Sequence, residues 1–103
     1  MSESVYKGTD LKFNVSIQSE GFSQKDDDWF LVLMKGRNEI QRFNKEDTID
    51  TGIENEFILC VETADLAAGD YDIVVHALVP DNDFPDGIRD EVYKERLMTV
   101  KKL

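Results

Sequence analysis

Residues 66–71, with the sequence LAAGDY, constrain the fold of this chain more than any other segment. They lead directly into a strand in which Tyr71, Ile73, Val75 and Ala77 share one face. A tyrosine at such a strand start packs its ring into the core, while its hydroxyl donates a hydrogen bond back to the chain just upstream. The segment therefore predicts an arch between two β-sheets. It indicates the fold of the chain but does not point to any chemical reaction.

Five other segments have the pattern of strands separated by turns. In residues 11–17, Leu11, Phe13, Val15 and Ile17 alternate with polar residues, which is typical of a half-buried strand. Residues 29–34 are apolar on both faces and are expected to lie centrally in a sheet. Residues 39–43, 57–61 and 92–100 complete the set, and the facing of the last segment is ambiguous. No helix longer than one turn is predicted, that turn being residues 63–66 with Thr63 as its cap.

Turn-separated strands predict a two-sheet sandwich, and the arch at Tyr71 is typical of the tyrosine corner of immunoglobulin-like domains. In that lettering the six segments are strands B, C, C′ or D, E, F and G. Trp29 then falls on strand C, where such domains keep a buried tryptophan, and Ile73 falls where the second disulfide cysteine would stand. We expect Val15 or Phe13 to pack against Ile73 in place of the covalent link.

The predicted fold class is therefore an all-β, immunoglobulin-like sandwich of six to seven antiparallel strands. The 103 residues fit one domain, spanning residues 1–103. No internal disulfide can form, because Cys60 is the only cysteine.

The charge balance argues against two classes of partner. The chain has 22 acidic and 12 basic side chains, a net charge of −10, with no stripe of basic residues. Nucleic acid is therefore not expected as a partner, and the same negative charge opposes docking on anionic lipid. No segment approaches the roughly 18 apolar residues of a membrane span, and the N-terminus lacks the apolar segment of a signal peptide, so we expect folding in the cytoplasm.

Three features point to enzymatic chemistry without the context that it needs. Asp50-Thr51-Gly52 matches the aspartic-protease signature, but the preceding residues are polar and not an apolar strand, so a polar turn is predicted. Cys60 has apolar neighbours in sequence and is expected to be a packed thiol. His76 lies in the strand phase opposite to the corner tyrosine and is expected on an outer face. No catalytic residue is predicted.

The loop at residues 81–87 has the carboxylate density of a calcium site, through Asp81, Asp83 and Asp86. An EF-hand loop needs a ligand at its fifth position and glycine at its sixth, where this chain has Pro85 and Asp86. We therefore predict a solvated hairpin loop and no metal or other cofactor, with a weak calcium site of another kind as the alternative.

The strand lettering also predicts where partners dock. The loops B–C, after C′, and F–G should emerge at one acidic end of the sandwich, with both termini at the other end. The predicted partner-contact residues at the loop end are Phe22, Phe84, Asp81, Asp83 and Asp86.

Residues 7–15, 66–71 and 79–91 together resemble small immunoglobulin-like proteins of prophages and mobile elements of gut Bacteroidales. Some of these are similar to the N-terminal domains of phage baseplate and fibre proteins. The resemblance implies a non-enzymatic structural or adhesion module that belongs to a phage-like particle, is virion-associated, and has a protein partner through self-assembly or as a particle component. The alternative is a surface module that binds carbohydrate or protein, with Phe22 and Phe84 as its contact patch.

Overall fold

The computed structural model describes residues 3–103, which form eight strands and one turn of 3-10 helix. The elements in chain order are β1 Glu3–Tyr6, β2 Asp10–Ser16, β3 Asp28–Lys35, β4 Asn38–Asn44, the 3-10 turn Lys45–Asp47, β5 Ile49–Asp50, β6 Glu56–Glu62, β7 Gly69–Pro80 and β8 Ile88–Lys101. All six predicted strands are present, most of them slightly longer than the sequence indicated.

The strands form an all-β sandwich of two sheets. One sheet has the order β1-β8-β7-β3-β4, and the other has the order β2-β6-β5. This arrangement confirms an immunoglobulin-like sandwich and settles its lettering, because β4 pairs with β3 and is strand C′, whereas β5 pairs with β6 as strand D. Strand β3 lies in the interior of its sheet, between β7 and β4, as its apolar faces predict.

Two strands, β1 and β5, have no counterpart among the predicted strands. They have only four and two residues, too few for a hydrophobic period to stand out in the sequence. Among the described residues, every ladder is antiparallel except that of β1 on β8, which is parallel. The expectation of a wholly antiparallel sandwich is therefore wrong at this edge.

The corner at the start of β7 has the predicted geometry. The Tyr71 hydroxyl donates a hydrogen bond of 2.6 Å to the Ala67 carbonyl, and the ring is almost fully buried. Burial raises the pKa of the Tyr71 phenol. Gly69 has a φ of +145°, and a Cβ there would stand 2.7 Å from a methylene of Lys35, so glycine suits both the backbone and the close approach.

Contacts between the two inner faces build the core. Trp29 of β3 stacks on Phe57 of β6 with ring centroids 4.4 Å apart, and its indole Nε1 donates to the Gln24 carbonyl at 2.9 Å. Ile73 is buried in the same cluster, against which Phe13 and Val15 are partly buried. These positions confirm a buried strand C tryptophan, with apolar packing in the place of a disulfide.

A bulge explains the ambiguous facing of β8. Tyr71 pairs with Met98 but Asp72 pairs with Arg96, so the intervening Leu97 has no partner on β7. The extra residue reverses the phase of the strand. Tyr93 shares a face with the inward Val75 before the bulge, whereas Met98 shares a face with the inward tyrosine after it. The alternation that turns Tyr93 inward therefore holds before the bulge, and the alternation that turns Met98 inward holds after it.

Thr63 does not cap a helical turn, and that prediction is wrong. Residues 63–66 form a turn closed by a bond of 3.0 Å from the Leu66 amide to the Thr63 carbonyl. The buried Thr63 hydroxyl donates to the Thr9 carbonyl at 2.8 Å and accepts from the Gly8 amide at 2.9 Å. The Thr63 side chain therefore bonds to the turn between β1 and β2, which is more than 50 residues away in the chain.

Replacing Tyr71 with phenylalanine is expected to lower the free energy of unfolding by about 1–2 kcal/mol, because the ring stays packed while the Ala67 carbonyl loses its donor. Denaturant melts measure this change. The matched control is Tyr6→Phe at a tyrosine that is 56% exposed, for which we expect a change within about 0.5 kcal/mol. Equal midpoints for the two variants would contradict a stabilising corner.

Candidate binding surfaces

The loops between β2 and β3, between β4 and β6, and between β7 and β8 gather at one end of the sandwich, the loop end. Arg89 Nη2 donates to the Glu20 carbonyl at 2.7 Å, and the Gln24 amide donates to Asn55 Oδ1 at 2.9 Å. At the other end, the Lys7 amide donates to the Lys101 carbonyl at 2.9 Å. The predicted polarity of loops and chain ends is confirmed for the described residues.

A polar network braces the loop end. The Glu91 carboxylate accepts hydrogen bonds from the Ser19 hydroxyl at 2.6 Å, from the Tyr93 hydroxyl, and from Arg89 Nε at 2.8 Å. Arg89 also forms an ion pair with Asp81. The Ser19 and Tyr93 hydroxyls, followed by the Arg89 guanidinium, lower the pKa of Glu91 to about 2. The network fastens the β2–β3 loop to the base of the β7–β8 hairpin.

Sequence reasoning missed this network, although part of its signal is local. Arg89, Glu91 and Tyr93 alternate along β8 and therefore share one face of the strand. The alternation indicates neighbouring side chains but no partner for them. Ser19 lies 72 residues away and comes close only because β2 and β8 belong to facing sheets.

The predicted contact residues occupy different environments. Phe84 is 45% exposed at the tip of the β7–β8 hairpin, and Asp83 and Asp86 are also exposed. Asp81 is half-buried, at the base of the hairpin. Phe22 is only 5% exposed and belongs to the core, so its prediction as an exposed contact is wrong.

A tight turn accounts for the burial of Phe22. Its amide donates to the Ser19 carbonyl at 3.1 Å, and Gly21 before it has a φ of +82°. This turn folds the loop back over the end of the sandwich. The Phe22 ring therefore covers the core at the loop end. The sequence alone showed only an aromatic residue in a polar segment.

The aspartates of the hairpin loop bond within the protein. Asp81 accepts a hydrogen bond from the Asp83 amide at 3.0 Å and another from Arg89, and these two bonds, the first more than the second, lower the pKa of Asp81. Asp86 accepts from the Ile88 amide at 3.0 Å. Within residues 3–103, no three side chains of the metal-ligating types are grouped so that they could hold an ion.

The other residues considered for chemistry do not come together. Asp50 and Thr51 accept hydrogen bonds from amides of their own turn, at 2.8 and 3.2 Å, as expected for a polar turn. Cys60 is exposed, so its prediction as a packed thiol is wrong. Phe57 and Leu59 take the inward phase of β6, which turns Cys60 to the outer face.

His76 lies on the outer face of the five-stranded sheet, as predicted. Its ring stacks on Phe30 with centroids 4.4 Å apart and planes 9° from parallel. The Arg42 guanidinium lies 3.8 Å from the centroid of Phe30. Cys60 is on the outer face of the other sheet, so a pair formed by Cys60 and His76 is excluded by the topology.

One side of the sandwich is open. A cleft of about 660 Å³ lies between β2 and the middle of β8, and Ile73 and Val75 of β7 also line it. Its apolar lining comes from Phe13, Val15, Ile17, Ile73, Val75 and Leu97. Nothing in the sequence pattern predicted this cleft, because each segment that lines it has the pattern of an ordinary strand.

No protein-family model matches this chain, and no curated protein matches it. Among residues 3–103, helices of the length and hydropathy required to cross a membrane are absent.

The Glu91 network makes stability depend on pH. The folded pKa of about 2 lies below the ordinary value of 4.5, so the stabilisation is complete above about pH 5 and is lost as the pH falls toward 2. We expect wild type to be more stable than Glu91→Gln at neutral pH, with the difference shrinking through this window in urea melts. The control is Asp90→Asn, at an exposed neighbour outside the network, which should stay within about 0.5 kcal/mol of wild type at neutral pH.

Calcium should not stabilise the hairpin loop, because its aspartates already accept hydrogen bonds from Arg89 and from backbone amides. We expect the same melting temperature in chelator and in millimolar calcium. A site saturated at 100 times its Kd would add about 2.7 kcal/mol, which corresponds to roughly 10 °C or more for a domain of this size. A rise of that order, abolished by Asp83→Asn, would establish the alternative calcium site.

Proposed function

We propose that the protein is a non-enzymatic structural or adhesion module, a component of a phage-like particle, that presents its loop end to a protein partner. The observation that carries this proposal is the placement of Phe84. Its ring is 45% exposed at the tip of a hairpin whose base is held by the Arg89 and Glu91 network. A rigid, exposed aromatic side chain is the usual anchor of a protein interface.

The polarity of the sandwich supports the same function. Contacts between β1 and the end of β8 lie opposite to the loop end, so a module could be anchored at one end while the loops face outward. The loop end carries many carboxylates, among them Glu20, Asp26, Asp28, Asp83 and Asp86, all exposed. These charges would speed encounter with a basic partner and slow encounter with an acidic one.

Assignment to a phage-like particle comes from the resemblance of residues 7–15, 66–71 and 79–91 to prophage-borne immunoglobulin-like proteins. The resemblance concerns structural motifs, which is consistent with a role in assembly and adhesion. The proposal therefore combines two independent grounds, a sequence resemblance for the setting and the geometry of the loop end for the mode of docking.

Carbohydrate binding is the second candidate function. A shallow hollow beside the hairpin tip is lined by Phe84, Pro85, Asp86, Ile88 and Asp90. An exposed aromatic ring with neighbouring carboxylates can stack on a sugar and accept hydrogen bonds from its hydroxyls. Saturable binding to a glycan array that Phe84→Ala abolishes would favour this candidate over a particle component.

Particle incorporation tests the principal proposal. Particles purified from the host that carries the gene should contain the chain in a fixed ratio to other proteins, as measured by mass spectrometry. Phe84→Ala should reduce that ratio several-fold, because it removes the anchor. The matched control is Ile40→Ala on β4, which removes a side chain of similar exposure, 41%, away from the loop end. Particles that lack the chain, or that take up both variants equally, would contradict the proposal.

A further inference from the structure

The open side of the sandwich has the features of a binding groove for an extended chain. Strand β2 is an edge strand, because its sheet has the order β2-β6-β5. The cleft of about 660 Å³ runs along this edge, bounded by residues 12–18 on one side and by Tyr93, Glu95 and Leu97 on the other. The partly buried Phe13 and Val15 of β2 face into it.

The backbone of the β2 edge is available for pairing. The Thr63 amide donates to the Thr9 carbonyl and the Ile17 amide donates to the Asn55 carbonyl, so the odd-numbered residues of β2 direct their backbone groups to β6. The even-numbered residues therefore direct their amides and carbonyls to the free edge. Within residues 3–103, no other strand pairs with Lys12, Asn14 or Ser16 on that side.

The position of β1 shows which direction an added strand would take. β1 covers β8 only from Met98 to Lys101, running parallel to it, and the cleft begins where this cover ends, at Glu3. A strand placed in the cleft in line with β1, and running in the same direction as β1, would be parallel to β8 and antiparallel to β2. The seven residues 12–18 span about 23 Å at the usual rise per residue. The groove thus accommodates about five to seven residues of extended chain.

We propose that this groove binds an extended segment of a partner protein, which adds to β2 as an antiparallel strand, inserts alternate apolar side chains into the cleft, and carries basic residues at its ends. This mode is β-strand addition, in which main-chain hydrogen bonds give affinity and the pockets for alternate side chains give specificity. The docking surface is distinct from the hairpin tip, so this inference goes beyond the proposed function.

Charge decides between a partner and a second copy of the chain. Of the charged residues lining the cleft, Arg96 is neutralised by ion pairs with Asp72 and Asp70, at 2.8 and 3.2 Å. Glu3 and Glu95 then face a single cation, Lys12, within residues 3–103. The whole chain carries a net charge of −10, which opposes self-association. A basic segment is therefore attracted both by the acidic side chains of the groove and by the net negative charge of the chain.

Binding of designed peptides to the intact chain tests the proposal. The probe is a blocked nine-residue peptide with three valines and two threonines in alternation, flanked by two lysines at each end. Nuclear magnetic resonance titration should show saturable binding in which the amides of Lys12, Asn14 and Ser16 shift and become protected from hydrogen exchange. The amides of β4, the edge strand at the far side of the other sheet, serve as the internal control and should not change.

Two modified peptides separate the contributions of charge and backbone. Replacing the lysines by glutamates should weaken binding about tenfold or more, because it reverses the charge at both ends. N-methylation of the threonines removes the donors that would face β2 while the valines remain, and should abolish the protection of the three amides. Equal binding by the basic and acidic peptides, or shifts along β4 that match those along β2, would overturn the proposal.

Variants of the protein complete the test. Asn14→Pro removes an amide that faces the free edge and should weaken binding about tenfold or more, whereas Asn14→Ala, which changes only an outward side chain, should bind as wild type. If the proline variant does not fold, the N-methylated peptide still decides the outcome. A concentration-dependent dimer that protects the same three amides would assign the edge to a second copy and overturn the proposal. Phe84→Ala should leave peptide binding unchanged, so failure here is distinguishable from failure at the loop end.

Discussion

The stack of Trp29 on Phe57 is the contact on which the rest of the sandwich depends. It joins β3 of the five-stranded sheet to β6 of the three-stranded sheet, with ring centroids 4.4 Å apart. With no disulfide across the core, burial of such aromatic and aliphatic side chains has to hold the sheets together. The same indole fixes the β2–β3 loop through its bond to the Gln24 carbonyl, so core packing and loop placement are coupled.

The tyrosine corner and the turn at Thr63 close the opposite end. Tyr71 is bonded to the chain just upstream of its strand, and Thr63 ties that region to the turn between β1 and β2. Both are hydrogen bonds from nearly or fully buried side chains to backbone groups, an arrangement that gives a unique geometry as well as stability. The end with the chain termini is therefore held by one local bond at the corner and by long-range bonds from Thr63, while long-range polar contacts hold the loop end.

Unequal sheets account for the open side. The five-stranded sheet extends through β8 beyond the reach of the three-stranded sheet, whose edge strand β2 pairs on one side only within residues 3–103. An uncovered strand edge beside apolar surface is a liability in solution unless charge protects it or a partner covers it. The outward Lys12 and the net charge of −10 are consistent with protection of the free chain, and the net negative charge favours addition of a basic strand. The sandwich thus offers two separate surfaces, a hairpin tip and a groove.

The sequence by itself determined the fold class, six of the strands and the corner, because alternation in β2 and β7 and the residues around Tyr71 are local signals of facing and turn geometry. It also determined that the loops lie together at one end, which follows from the lettering. Only the tertiary structure decided the parallel pairing of β1, the burial of Phe22, the Glu91 network and the open groove. Each of these depends on which distant segments meet, as Ser19 meets Glu91 across 72 residues, and hydrophobic periodicity carries no information about such pairings.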